Sequence, residues 1–88
     1  MPWKVVAFEE TPNPNALKCV LDRTIAESAR GYHRASEAAD DAVASALFGV
    51  PGVTTVLLLH DFVTVGKTPE ASWASVKKGV RKALERAE

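Results

Sequence analysis

The residues of this sequence that could bind a metal are few and scattered. There is one cysteine, Cys19, and two histidines, His33 and His60. A single thiolate cannot hold zinc or an iron–sulfur cluster, because such sites need about four ligands. The spacing of the histidines matches no metal-binding motif. We therefore expect no metal site and no cofactor, with Cys19 as a small buried hydrophobe. Weak iron binding by Cys19 with nearby carboxylates or histidines stays open as the alternative.

Catalytic motifs are also absent from the sequence. No serine or cysteine lies in a nucleophile motif, and two histidines do not make a catalytic triad. No glycine-rich loop of the kind that binds phosphate groups is present. We therefore predict that the protein is not an enzyme.

The stretch with the most unusual composition is residues 11–15, Thr-Pro-Asn-Pro-Asn. Each proline fixes φ near −65° and biases the residue before it towards extended geometry. Asparagine side chains bond to nearby backbone and favour turns. The segment is therefore predicted to be a stiff, exposed connection. It has two interpretations: a rigid turn that sets the register of a hairpin, which the physical argument alone favours, or a preformed recognition loop.

Length and charge restrict the class of protein. The chain has 88 residues and no net charge, which indicates one domain and argues against a general nucleic-acid binder. The charge is uneven: residues 1–65 hold five basic and eight acidic residues, whereas residues 66–88 hold six and three. The single cysteine excludes an internal disulfide. No signal-peptide pattern or long apolar run is present, so we expect a cytoplasmic protein.

The pattern of apolar residues predicts four strands and two helices. Alternation and β-branched residues predict strands over Trp3–Phe8, Ala16–Leu21, Val53–Leu59 and Phe62–Lys67. A helix is predicted from an N-cap at Ser36 to Val50. A second is predicted to start at Thr68 as its cap, with Pro69 at the first position and an apolar stripe from Trp73 to Ala87. Residues 22–35 allow either one helical turn over 24–30, stopped by Gly31, or a short third strand over 31–34.

This order, β-β-(β)-α-β-β-α, predicts an α+β fold. Each predicted element has one apolar face, so we expect a two-layer sandwich: a mostly antiparallel sheet with two helices on one face. Cys19 shares its side of the second strand with Leu17 and Leu21, which places it on the core side.

Four segments together resemble a known family. Residues 11–18, Thr-Pro-Asn-Pro-Asn-Ala-Leu-Lys, resemble the start of the N-terminal domain of the Nfu/NifU-type iron–sulfur cluster scaffold proteins. Residues 46–53, residues 61–67 (Asp-Phe-Val-Thr-Val-Gly-Lys) and Trp73 are similar to later parts of the same domain. Two features depart from the family. Cys19 stands where phenylalanine is usual, and the Cys-x-x-Cys of the cluster-binding half is missing.

The resemblance implies that residues 1–88 are a stand-alone version of this domain, with a short third strand at Tyr32–Ala35. It implies a non-catalytic accessory or interaction module in iron–sulfur cluster assembly or transfer. Such a module recognises a scaffold, carrier or apo-target protein while another protein holds the cluster. We expect a monomer that binds neither nucleic acid nor membrane; the alternatives are weak iron binding through Cys19 and a general protein-interaction domain. The candidate contact residues are Asn13, Pro14, Asn15, Lys18 and Lys67.

Overall fold

The structure, a computed structural model, describes residues 3–86. In chain order it contains strands β1 (Val5–Glu10), β2 (Ala16–Leu21) and β3 (Ala26–Tyr32), a 3-10 helix (Ala35–Ala38), helix α1 (Ala42–Phe48), strands β4 (Val53–His60) and β5 (Phe62–Lys67), and helix α2 (Trp73–Arg86). Neither α-helix in this range is long and apolar enough to cross a membrane.

The strands form one antiparallel sheet in the order β1-β2-β5-β4-β3. Along the inner strand β2, Leu17, Cys19 and Leu21 are buried, and the residues between them are half-buried. This alternation arises because successive side chains of a strand point to opposite faces. One face of the sheet is therefore covered, as the apolar pattern predicts, and Cys19 lies on it.

Both helices pack on that covered face. Val43, Ala44 and Leu47 of α1 belong to the same buried cluster as the sheet residues Cys19, Leu58 and Val65. The α2 residues of this cluster are Val76, Val80 and Leu84. The opposite face, which we call the open face, carries half-buried side chains such as Val20, Leu57 and Phe62. The predicted two-layer α+β sandwich is confirmed.

The third strand differs from its prediction. We expected it at Tyr32–Ala35, with a helical turn over 24–30 as the other possibility, but β3 occupies Ala26–Tyr32. It pairs with β4 from Ala26 opposite His60 to Tyr32 opposite Val56. Most of its residues are exposed at the edge of the sheet, so no apolar alternation marks it in the sequence. Hydrogen bonds to β4 determine its conformation instead.

The first helix is shorter than predicted. We expected a helix from an N-cap at Ser36 to Val50, but residues 35–38 form a 3-10 helix and α1 begins only at Ala42. Asp41 is the N-cap, with extended backbone (φ −114°, ψ 103°), and its Oδ1 accepts a hydrogen bond from Ala44 N at 3.1 Å. Its other oxygen bonds to Tyr32 and Arg30 of β3, which keeps Asp41 out of the helix.

The turn between β4 and β5 is tight, with Leu59 paired to Phe62, as the two residues between the predicted strands indicate. His60 takes φ of 52° to close it. The carbonyls of His60 and Asp61 each accept a backbone hydrogen bond at 2.7 Å, from Ile25 and Leu21 respectively. These bonds connect the turn to the end of β2 and to the segment that links β2 to β3.

Three further elements have bounds that differ from their predictions, and one of them is β4, which ends at His60 rather than Leu59. The first strand begins at Val5 rather than Trp3 and ends at Glu10. Helix α2 begins at Trp73, not at Thr68, because residues 68–71 form a turn in which Ala71 N bonds to Thr68 O at 3.1 Å. The carbonyl of Ser72 accepts a hydrogen bond from Val76 N at 3.0 Å, and this bond forms the first turn of the helix. Ala87, predicted on the apolar side of this helix, lies outside the described residues.

Candidate functional site

The segment Thr11–Asn15, which we call the Pro–Asn loop, is held in shape by its own polar groups. Thr11 Oγ1 lies 2.9 Å from Asn13 O and 3.0 Å from Ala16 O, and accepts from Asn13 N at 3.2 Å. Asn13 Oδ1 accepts from Asn15 N at 2.9 Å. Ala16 N donates to Asn13 O at 3.0 Å. These local bonds restrict the conformation of the connection between β1 and β2.

The loop is also bonded to the end of β5 and the start of α2. Lys67 N donates to Asn15 O at 2.8 Å, and Lys67 Nζ lies 3.3 Å from Asn15 Oδ1. The indole Nε1 of Trp73 donates to Pro14 O at 3.0 Å. Lys67 Nζ also lies 5.3 Å from the centre of the Trp73 ring. Lys67 and Trp73, which are far from the loop in sequence, therefore support it through these bonds.

The predicted contact residues divide into three groups. Asn13 and Pro14 are exposed at the tip of the loop. Asn15 is half-buried and Lys67 is only 9% exposed, so they support the loop instead of forming its outer surface. Lys18 lies apart on the open face, with Nζ 3.7 Å from Glu9 and 4.4 Å from the centre of the Phe62 ring. The structure thus brings four of the five residues together and separates Lys18.

A cleft of about 360 Å³ lies between the loop and α2. Glu10, Asn13 and Pro14 line one side of it, and Trp73 and Lys77 line the other. Trp73 and Lys77 are not among the contact residues predicted from the sequence. One signal in the sequence could have identified this side of the cleft: a tryptophan at the first position of a helix, directly after an exposed polar turn.

The thiol of Cys19 is enclosed by the core. Its exposed fraction is 0%, and burial raises its pKa to about 12, against a smaller lowering by the charge of Lys77. A protonated, enclosed thiol is a poor metal ligand, since the thiolate is the binding form. Within residues 3–86 no three His, Cys, Asp or Glu side chains are placed to hold a metal ion together.

A protein-family model matches nearly the whole chain. Residues 6–87 match the family described as the N-terminal domain of the scaffold protein Nfu/NifU. The chain belongs to the Nfu/NifU N-terminal family. The match includes the Pro–Asn loop and the start of α2, which line the cleft, and β5, whose Lys67 bonds to the loop.

Curated relatives of this Nfu/NifU N-terminal domain are longer proteins. The chain is 35% identical over 78 residues to the NifU-like protein C1709.19c of Schizosaccharomyces pombe, covering 85% of this chain and 30% of that protein. It is 25% identical over 81 residues to conserved virulence factor C of Staphylococcus aureus, covering 92% of this chain and 22% of that protein. The chain therefore spans less than a third of these relatives.

Solved structures share the fold. The crystal structure of protein SAV1430 from Staphylococcus aureus superposes with a TM-score of 0.77 at 28% identity, covering 93% of this chain and 99% of that chain. The solution structure of a NifU-like protein from Saccharomyces cerevisiae gives a TM-score of 0.72 at 24% identity, with 93% and 77% covered. The second likeness is one of fold alone.

Proposed function

We propose that this Nfu/NifU N-terminal domain is a non-catalytic interaction module in iron–sulfur cluster assembly or transfer. It recognises a scaffold, carrier or apo-target protein through the Pro–Asn loop. The observation that carries the proposal is the construction of that loop. Asn15 bonds to Lys67 and the carbonyl of Pro14 accepts from Trp73, whereas Pro12, Asn13 and Pro14 are exposed.

A preformed loop suits recognition for a thermodynamic reason. Binding loses free energy when a mobile segment must become ordered at the interface. In this loop, two prolines and the bonds of Thr11 and Asn13 have already restricted the backbone. More of the contact energy at the tip is therefore kept as affinity.

The contact residues take different parts in this proposal. Asn13 and Pro14 touch the partner, while Asn15 and Lys67 hold the loop in its binding conformation. Lys18 contacts a partner only if that partner also reaches around β1 to the open face. The cluster stays with the partner protein, because the buried thiol of Cys19 offers it no ligand.

The test is a binding titration with the variant Asn13→Asp. This change keeps the oxygen that accepts from Asn15 N, removes the amide donor and adds a charge at the tip. The partners are a purified Cys-x-x-Cys scaffold domain, a cluster carrier and an apo-target protein, the first two in cluster-loaded and apo forms. We expect binding to at least one of them, and about a tenfold or greater loss in the variant.

The matched control is Ser28→Asp, which adds the same charge at an exposed position of β3, at the opposite edge of the sheet from β1. It is expected to bind as the unmodified protein does. Equal affinity for both variants would remove the loop from the interface. No binding to any of the three partner classes would overturn the proposed function.

A further inference from the structure

A second groove, of about 550 Å³, runs along α2 beside the edge strand β1. We call it the basic groove. Phe8 and Ala74 supply its apolar surface, and four cationic side chains line it: Lys77, Lys78, Arg81 and Lys82. Glu85 is the one carboxylate among its lining residues. Lys77 also lines the cleft of the Pro–Asn loop, so the two depressions adjoin.

The cations of the basic groove differ from most others in the protein. Lys18, Arg23, Arg30 and Arg34 each have a carboxylate partner within 4 Å. None of the four groove cations forms an ion pair within residues 3–86. Their positive potential is therefore not neutralised by carboxylates of that part of the chain, and it is concentrated in a concave surface.

The aromatic floor of the groove also has a defined arrangement. Lys77 Nζ lies 5.1 Å from the centre of the Phe8 ring, and Arg81 Cζ lies 5.0 Å from it. Cation–π attraction at these distances holds the two cations at the floor. When a ligand enters the groove, one of its apolar side chains can contact Phe8 and Ala74. Neighbouring carboxylates of the same ligand can then reach the cations that line the groove.

From this geometry we infer that the basic groove binds an acidic segment of the partner protein, with an apolar residue among its carboxylates. The inference rests on the proposed function, since it names the chemistry of the docked partner. The proposal is based on charge complementarity: four cations without an ion pair in the described part of the chain, residues 3–86, lie around an apolar floor. The shared Lys77 allows one partner to occupy the groove and the Pro–Asn loop together.

A protein segment fits this groove better than a nucleic acid does. Residues 77–82 rise only about 8 Å along the helix axis at ~1.5 Å per residue. Carboxylates of a short peptide match that length, whereas non-specific nucleic-acid binding depends on neutralising many phosphates along a longer path. The net charge of zero over the whole chain also disfavours polyanions.

The experiment measures fluorescence anisotropy of a labelled peptide that alternates glutamate with leucine, added to the folded protein. We expect saturable binding that weakens as NaCl is raised, because exposed charges are screened. The same peptide with glutamine in place of glutamate is expected not to bind. The variant Lys78→Glu, at an exposed position of α2, should weaken binding of the acidic peptide about tenfold or more.

The matched control is Arg34→Glu, the same charge reversal at an exposed site after β3, which should leave peptide binding unchanged. An equal loss of peptide affinity in both variants would show that binding depends on the net charge of the protein and not on the groove. That result would overturn the inference. Tighter binding of a single-stranded DNA oligonucleotide than of the peptide would overturn it too. Partner binding that survives Lys78→Glu but fails in Asn13→Asp would reject the groove and keep the proposed function.

Discussion

At the residue scale, the Cys19 side chain is fully buried, and burial raises its pKa, which makes the thiol a poor metal ligand. With a pKa of about 12, its thiolate fraction at pH 7 is about 10⁻⁵, since each pH unit below the pKa lowers it tenfold. We expect labelling by a thiol reagent at neutral pH to be as slow as global unfolding. Labelling should become fast in urea above the unfolding midpoint. Rapid labelling of the native protein would contradict the burial and would revive the alternative hypothesis of iron binding through Cys19.

Asp41 is the residue with the largest structural role that the sequence did not reveal. It caps α1, accepts a hydrogen bond from Tyr32 Oη at 2.9 Å and lies 2.9 Å from Arg30 Nη1. The bond to Asp41 raises the pKa of Tyr32. The sequence pattern placed Asp41 inside a longer helix, because nothing local shows that β3 supplies its partners.

Replacing Asp41 by alanine should destabilise the protein by about 2–4 kcal/mol. The change removes an N-cap, worth ~1 kcal/mol, and hydrogen bonds to a charged group, worth ~1.5–3 kcal/mol. The free energy of unfolding in urea is the measurement. The neighbouring Asp40 is exposed and forms no ion pair within residues 3–86, so Asp40→Ala serves as the control. A similar loss in both variants would mean that Asp41 has no special role.

At the scale of elements, the contact between α2 and the residues after α1 is unusually close. A Cβ added at Gly79 would lie 2.5 Å from Cγ1 of Val50, which is only 6% exposed. A valine side chain is stiff at χ1 and cannot turn away freely. Gly79 is therefore required for packing, although glycine lowers helix propensity by ~1 kcal/mol relative to alanine.

We expect Gly79→Ala to destabilise the protein by about 1–3 kcal/mol, the range for overpacking a core, despite its better helix propensity. In a Val50→Ala background the same change should be neutral or stabilising, because the clashing methyl groups are gone. Urea unfolding of the two single variants and the double variant measures this coupling. A stabilising Gly79→Ala in the unmodified background would show that the helices are farther apart.

The elements that could be predicted are those whose sequence carries its own periodicity. Strand β2 alternates buried and half-buried residues, and its predicted bounds are confirmed. Strand β3 and the break before α1 could not be predicted, because exposed residues pair with a distant strand and a tertiary bond sets the cap. In the same way, local chemistry indicated a stiff Pro–Asn loop. Its support by Lys67 and Trp73 depends on contacts 52 and 59 residues apart in sequence.

At the scale of the whole molecule, the two sides of the sheet differ in a way that bears on function. Helices cover one face, and the Pro–Asn loop, its cleft and the basic groove all lie along the line where β1 meets α2. The open face carries Lys18 and Phe62 on the other side of the sheet. A partner of the kind proposed should therefore contact the molecule from one side.

The most direct test of this account is an NMR titration of the ¹⁵N-labelled protein with a cluster-loaded scaffold domain. We predict that the amide signals of Asn13 and Asn15, the indole N–H of Trp73 and the amide of Lys77 shift or broaden together. The amides of Ser28 and Phe62 should stay unchanged, because they lie at the opposite edge and on the open face. If only the amide signals of the open face around Lys18 and Phe62 changed, and the Trp73 indole N–H signal did not, docking through the Pro–Asn loop would be contradicted.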